Sequence, residues 1–151
     1  MMRDEIIECW SCRSNSGEQR ISPGQTVYNG KYWLVEHAYP VKQKGWLVIV
    51  LKRHAEALHE LTPAEFEELG VIQARLTFLL HELLQCQKEY VSCYAETEHF
   101  YHIHFHVFAK PHDLPKELFG GKSFAFLKVS EEETASSEEI KEFCKLLHEI
   151  W

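Results

Sequence analysis

Residues 101–109 read Tyr-His-Ile-His-Phe-His-Val-Phe-Ala, in which polar and apolar side chains alternate. Because the side chains of a β-strand point alternately to its two faces, an extended chain would place His102, His104 and His106 on one face. Neighbouring imidazoles would then lie roughly 6 to 7 Å apart, whereas a helix would scatter them around its axis. The pattern therefore predicts a strand over 101–109 with three imidazoles on one surface.

Such a surface suits nucleophilic attack on phosphorus, metal binding, or both. A neutral imidazole is a nucleophile near pH 7, and a hydrogen bond to one ring nitrogen decides which nitrogen carries the proton. The alternative is a half-buried strand that carries histidine by coincidence, which the 10 histidines of the chain make easier. Spacing at every second residue favours the functional interpretation.

Residues 102–108 resemble the His-φ-His-φ-His-φ-φ signature (φ is apolar) of the histidine triad (HIT) superfamily of nucleotide hydrolases and transferases. The resemblance implies an enzyme in which His104 attacks the α-phosphate of a nucleotide. The nucleotidyl-histidine intermediate then passes to water or to another acceptor, while His106 donates to the phosphate or to the leaving-group oxygen. Candidate substrates are dinucleoside polyphosphates, nucleoside phosphoramidates and adenylylated small molecules.

Length and charge limit the alternatives. A chain of 151 residues without a linker-like stretch predicts one domain over 1–151. The formal net charge of −7 argues against duplex nucleic acid or an anionic membrane as a partner, but not against a mononucleotide. The first residues lack the apolar core of a signal peptide, so we expect a cytoplasmic protein. Five cysteines, an odd number, do not indicate a disulfide framework.

Cys9 and Cys12 form a Cys-x-x-Cys pair that can bind zinc only with two further ligands. A thioredoxin-like redox pair and free thiols are the alternatives, although a polar Gly/Ser/Pro segment follows instead of a helix. The resemblance implies that His54 and His102 complete the site. His54 ends Gly-Trp-Leu-Val-Ile-Val-Leu-Lys-Arg-His at 45–54, similar to the family's Gly-His-x-Leu-Val-Ile-Pro-Lys-Arg-His, but a solvated or capping histidine is also possible there. Four protein ligands would make the zinc structural.

Three departures from the family pattern bear on the nucleotide. Trp46 replaces an auxiliary active-site histidine, and His37 stands where the family has a ribose-binding Asp or Asn. Glu98 lies in the loop that often holds phosphates through a Gly-Gln pair, where His99 would supply a positive charge instead. The resemblance thus implies nucleotide contacts from His37, Glu98, His99 and His106.

These departures support a second hypothesis, a nucleotide-binding or sensing module that has lost turnover. A third hypothesis is a zinc-dependent hydrolase in which the triad itself is an open metal site.

The remaining patterns predict the elements around the triad. Residues 25–28 and 31–38 predict a hairpin with a type I′ turn at Asn29-Gly30, and 45–54 predict a buried strand. A Thr-Pro-x-Glu start predicts a helix over 63–87, and Ser136 opens a second one. Strands are also predicted at 90–96 and 124–129.

These elements predict an α+β fold, an antiparallel sheet of about five strands with one long helix and a C-terminal helix. The resemblance implies the HIT-like fold and a homodimer formed through the triad-side strands and the long helix.

Overall fold

The computed structural model describes residues 8–151. Residues 1–7, on which the expectation of no signal peptide rests, lie outside this range. The α+β class is confirmed: a five-stranded antiparallel sheet has the order β1-β2-β3-β5-β4. The strands are β1 (Tyr28–Asn29), β2 (Trp33–His37), β3 (Trp46–Leu51), β4 (Lys88–Ser92) and β5 (His104–Lys110), and the α-helices are α1 (Trp10–Asn15), α2 (Pro63–Leu84) and α3 (Ser137–Ile150).

The core lies between α2 and one face of the sheet. Val35, Ile49 and Phe105 pair across β2, β3 and β5 and therefore share that face. Trp33 lies on the same face and donates from its indole Nε1 to the carbonyl of Glu65 in α2 at 2.8 Å. The helix buries one stripe against this surface, made of Leu69, Ile72, Leu76, Leu79 and Leu80. No helix within residues 8–151 is long and apolar enough to cross a membrane.

The start of α2 follows its sequence signature. Thr62 accepts from the main-chain N–H of Glu65 at 3.2 Å, and the Glu65 carboxylate accepts from the N–H of Thr62 at 2.9 Å. The same carboxylate accepts from Nε and Nη2 of Arg53, at 3.0 and 2.9 Å. Gln85 takes a left-handed conformation (φ 50°), so the helix ends at Leu84 instead of extending to 87.

The predicted type I′ turn at Asn29-Gly30 is wrong. Asn29 is part of β1 and pairs with Leu34, and the N–H of Gly30 donates to the carbonyl oxygen of Trp33 at 2.9 Å, so the chain reverses two residues later, at Lys31 and Tyr32. The cause is a tertiary contact, because the Glu68 carboxylate of α2 accepts from three successive main-chain N–H groups at 2.7, 2.7 and 3.0 Å. These donors belong to Lys31, Tyr32 and Trp33. The carboxylate of α2 thus satisfies the N–H groups of Lys31 and Tyr32, which form the turn in place of Asn29-Gly30.

The predicted strand at 124–129 is also wrong. Gly120–Leu127 form a 3₁₀ helix that covers the sheet face opposite α2. Phe124 packs edge-on against Trp46, with ring centroids 5.1 Å apart, and Phe126 packs against Phe108 at 5.2 Å. The apolar residues of this segment are thus buried by lying on the sheet, not by extending it.

Candidate active site and metal centre

Two imidazoles share the open face of β5. His104 and His106 have ring centroids 4.9 Å apart and pair across the sheet with Val50 and Val48. His102 precedes the strand and is fully buried. Its Nε2 lies 2.6 Å from the carbonyl oxygen of Leu51, which turns its ring away from the other two. The predicted strand over 101–109 therefore starts too early, and the triad divides into one inward ring and two outward rings.

His104 is held in one orientation by the chain itself. Its Nδ1 lies 2.6 Å from the main-chain carbonyl oxygen of His102, so Nδ1 carries the proton and donates it. Burial lowers the pKa of His104 and keeps the ring neutral. Nε2 then has the free lone pair, as a nucleophilic nitrogen requires.

His106 is held by Trp46. The indole Nε1–H donates to Nδ1 of His106 at 3.0 Å, so the proton of the neutral ring lies on Nε2. Burial, with a smaller contribution from His104, lowers the pKa of His106 to about 3. The sequence comparison shows only that Trp46 replaces an auxiliary histidine, whereas the structure shows that its N–H acts on His106. No local sequence signal reports this cross-strand contact.

A cavity of about 620 Å³ lies over the two outward rings. Its volume is in the range of small-molecule sites. One wall is α1, whose N-cap is Cys9, and the 3₁₀ helix forms part of another. The lining includes the aromatic rings of Trp10, Phe100 and Phe124 and the charged side chains of Arg13, Arg20 and Glu36.

A second cavity of about 300 Å³ lies on the same sheet face. Tyr90 and Ser92 of β4 line it together with Trp46. His106 and Phe124 line both cavities, so they stand at the boundary between the two.

Glu36 is the carboxylate that sequence reasoning missed. It pairs with Val48, which pairs with His106, so Glu36 lies on the triad face. Arg20 binds both of its carboxylate oxygens, at 2.8 and 2.9 Å, and Thr26 donates to it at 2.6 Å. The alternation of β2 is the signal that would have found it.

His37 lies on the opposite face, as the next residue of the strand. It is 1 % exposed, and its Nδ1 donates to the carbonyl oxygen of Ala38 at 2.8 Å. Its Nε2 accepts from the N–H of Gly45 at 3.0 Å, and burial lowers its pKa to about 4. Both ring nitrogens are engaged, so His37 has none to offer to a ribose.

Glu98 and His99 do not line either cavity. The Glu98 side chain is 78 % exposed. His99 stacks flat on Trp10, with ring centroids 4.5 Å apart, and its Nδ1 donates to the carbonyl oxygen of Glu8 at 3.1 Å. These contacts attach the chain before α1 to the 96–99 loop, whose Thr97 reaches the larger cavity.

Cys9, Cys12, His54 and His102, the set that the resemblance implies, form one cluster. Nδ1 of His102 lies 3.4 Å from Sγ of Cys9 and 3.5 Å from Sγ of Cys12, and Nδ1 of His54 lies 3.4 Å from Sγ of Cys12. A tetrahedral zinc ion with bonds of about 2.3 Å to sulfur and 2.0 Å to nitrogen sets its ligands roughly 3.5 Å apart. The donor set and its spacing fit zinc.

Both histidines of the cluster have a partner on the other ring nitrogen. Nε2 of His54 lies 3.0 Å from the Glu56 carboxylate, and Nε2 of His102 donates to the carbonyl oxygen of Leu51. Such outer contacts place the proton on Nε2 and leave Nδ1 free to bind a metal. His104 and His106 are outside the cluster.

A sequence profile described as "Scavenger mRNA decapping enzyme C-term binding" matches residues 9–118, which is more than half of the chain. The profile describes a HIT-like family. The chain belongs to this HIT family. No curated protein matches the sequence significantly.

Solved HIT proteins share the fold. A histidine triad nucleotide-binding protein from Sulfolobus tokodaii has a TM-score of 0.69 at 14% identity, with 93% of this chain and 90% of that chain covered. A histidine triad protein from Bradyrhizobium japonicum has a TM-score of 0.68 at 18% identity, covering 95% and 99%. A zinc-bound HIT protein from Mycobacterium smegmatis has a TM-score of 0.65 at 17% identity, covering 93% and 91%. At these identities the likeness establishes the HIT fold alone.

Proposed function

We propose that this HIT protein is a nucleotide hydrolase or nucleotidyltransferase that forms a nucleotidyl intermediate on His104. The observation that carries the proposal is the 2.6 Å hydrogen bond from Nδ1 of His104 to the carbonyl oxygen of His102. It leaves Nε2 of a neutral, cavity-lining imidazole free to attack. A carbonyl oxygen orients this ring as a carboxylate orients the base of a catalytic triad.

The reaction follows from these two rings. Nε2 of His104 forms a bond to the α-phosphorus, and the bond from phosphorus to the leaving group breaks with its electron pair on the leaving group. The ring becomes positively charged, and the carbonyl of His102 stabilises the charge through Nδ1–H. Water then attacks phosphorus, the electron pair of the P–N bond returns to Nε2, and the water proton passes to solvent.

The cavity supplies recognition. The aromatic rings of Trp10, Phe100 and Phe124 offer faces on which a base can stack, and Lys128 adds a positive charge to the lining, whereas Arg13 and Arg20 are paired with Glu8 and Glu36. His106 donates from Nε2 to the phosphate or to the leaving-group oxygen. The substrate is a dinucleoside polyphosphate, a nucleoside phosphoramidate or an adenylylated small molecule.

Cys9, Cys12, His54 and His102 would hold zinc as a structural ion. With four protein ligands such an ion would have no open position, so it would supply rigidity and not a metal-bound nucleophile. The cluster joins the start of α1 to the segment before β5, and it thereby connects one cavity wall to the strand of the catalytic imidazoles.

We also propose a cytoplasmic homodimer. The thiols of the cluster require a reducing compartment. β4 is an edge strand, and Val91 on it is 45% exposed. Val71 and Phe78 on α2 are 71% and 56% exposed, so the edge and the helix together present apolar surface to a second copy.

The test uses diadenosine tetraphosphate and adenosine 5′-phosphoramidate with the wild type, His104→Ala and a control, His112→Ala. His112 is exposed and outside both cavities. We expect AMP release by the wild type and the control, and its loss in His104→Ala. AMP binding without turnover of either compound would show that the protein is a nucleotide-binding module and not an enzyme.

A further inference from the structure

The contact between Trp46 and His106 restricts the leaving group. We propose that Trp46 makes His106 a hydrogen-bond donor that cannot act as a general acid, so the substrate must be a phosphate anhydride or acyl phosphate whose leaving group departs without a proton. This rests on the proposed function and selects among its substrates.

Packing holds the indole in place. Trp46 is 1 % exposed. Its ring stacks on Phe108 at a centroid distance of 4.6 Å and meets Phe124 edge-on at 5.1 Å. An indole enclosed on these sides cannot turn its N–H away without opening a void, so the 3.0 Å bond to Nδ1 of His106 is a permanent feature of the site.

The hydrogen bond determines which ring nitrogen of His106 carries the proton. Its Nδ1 lone pair is occupied by the indole N–H, so the single ring proton lies on Nε2. To give that proton away and remain neutral, the ring would first need a second proton on Nδ1, where another N–H already points. Burial opposes the charged ring as well, since the pKa of His106 is lowered to about 3.

The bond changes differ between substrate classes. When His104 attacks an anhydride, the P–O bond breaks and the oxygen keeps the electron pair as a phosphate or carboxylate, which is stable near pH 7 without a proton. When it attacks a phosphoramidate, the P–N bond breaks and the nitrogen must receive a proton to leave as an amine. Of the other ionisable side chains that line the larger cavity, Glu36 accepts from Arg20 and Thr26.

The first experiment measures which ring nitrogen of His106 carries the proton. The ring ¹⁵N chemical shifts of His106, assigned by their disappearance in His106→Gln, distinguish an N–H from an unprotonated nitrogen. We expect the proton on Nε2 in the wild type and a mixture of both tautomers in Trp46→Phe. Phe108→Leu disturbs the same packing but keeps the indole N–H, and it should retain the wild-type tautomer. A wild-type spectrum with the proton on Nδ1, or one unchanged in Trp46→Phe, would overturn the proposal.

The second experiment compares kcat/KM for diadenosine tetraphosphate and adenosine 5′-phosphoramidate. Because general acid catalysis contributes on the order of 100-fold or more, the wild type should prefer the anhydride by about 100-fold. Trp46→Phe should reduce this preference about tenfold, since Nδ1 of His106 can then accept a second proton and the ring can give its Nε2 proton to the leaving nitrogen. If the wild type had similar kcat/KM values for the two compounds, the proposal that the leaving group must depart without a proton would be overturned. If neither compound is turned over, the proposed function fails and this rule with it, while the ring spectra still decide whether Trp46 fixes the tautomer.

Discussion

The carbonyl oxygen of His102 lies 2.6 Å from Nδ1 of His104, so the residue that offers its ring to the Cys/His cluster offers its main chain to the proposed nucleophile. One peptide unit therefore joins two sites that sequence patterns present as separate motifs. A change that moves the main chain at His102 would therefore act on both sites.

Cys12→Ser is expected to lose zinc and to lower the thermal midpoint, because a structural ion with four protein ligands contributes to folding. Metal analysis and thermal unfolding measure both effects. Cys93→Ser, which changes a cysteine outside the cluster, is the control and should keep about one zinc ion per chain. If zinc depended on His104 and not on Cys12, the triad itself would be the metal site.

Glu65→Gln should remove a pH-dependent part of the stability. The hydrogen bonds from Arg53, followed by those of Thr62, lower the pKa of Glu65 to about 2. A carboxyl group whose pKa is lower in the folded state stabilises the fold fully above its unfolded pKa of about 4.3, and this contribution disappears as the pH falls to 2.

The measurement is urea unfolding of wild type and Glu65→Gln between pH 2 and 7. The difference in the free energy of unfolding should be largest near neutrality and should shrink toward pH 2. Glu82→Gln, on the exposed face of the same helix, should follow the wild type at every pH. A difference that stays constant would contradict the ionic role of Glu65.

Glu68→Gln should destabilise the fold by about 1 to 3 kcal/mol, since an amide has one acceptor oxygen where the turn needs two. Three main-chain donors of the β1–β2 connection depend on this carboxylate. Equilibrium unfolding measures the loss, with Glu67→Gln as the exposed neighbour that should change nothing. Equal stabilities for the two variants would show that the turn holds without Glu68.

Ile72→Ala should cost about 2 to 5 kcal/mol of unfolding free energy, because truncation leaves a void beneath α2. Ile72 is 2 % exposed, whereas the adjacent Val71 is 71 % exposed and its truncation should cost little in the monomer. Denaturant unfolding measures the loss of unfolding free energy in Ile72→Ala and in Val71→Ala. If Val71→Ala were instead costly in a concentration-dependent way, Val71 would lie in the homodimer interface.

Local sequence patterns predicted the structure correctly where the residues of a single helix or strand determine its conformation. The capping sequence at Thr62 predicted the start of α2, and the alternation at 101–109 predicted a strand that overlaps most of β5. The Cys9 and Cys12 spacing needed the family resemblance to supply His54 and His102.

Prediction failed where contacts with another part of the chain determine the conformation of a segment or the direction of a side chain. His37 was chosen by comparison with the family pattern, yet strand alternation points it away from the triad and places Glu36 on the triad face instead. The 124–129 segment has β-prone residues, but Phe124 and Phe126 are buried on Trp46 and Phe108, and that surface is assembled only in the folded chain.

The boundary that His106 and Phe124 form between the two cavities has a pharmacological consequence. A bivalent inhibitor, with a nucleoside arm in the larger cavity and a short aromatic arm against Tyr90, would straddle the imidazole for which we propose the contact with phosphate. Its selectivity over other HIT proteins would come from the second arm, because that arm touches the indole that stands in place of their auxiliary histidine.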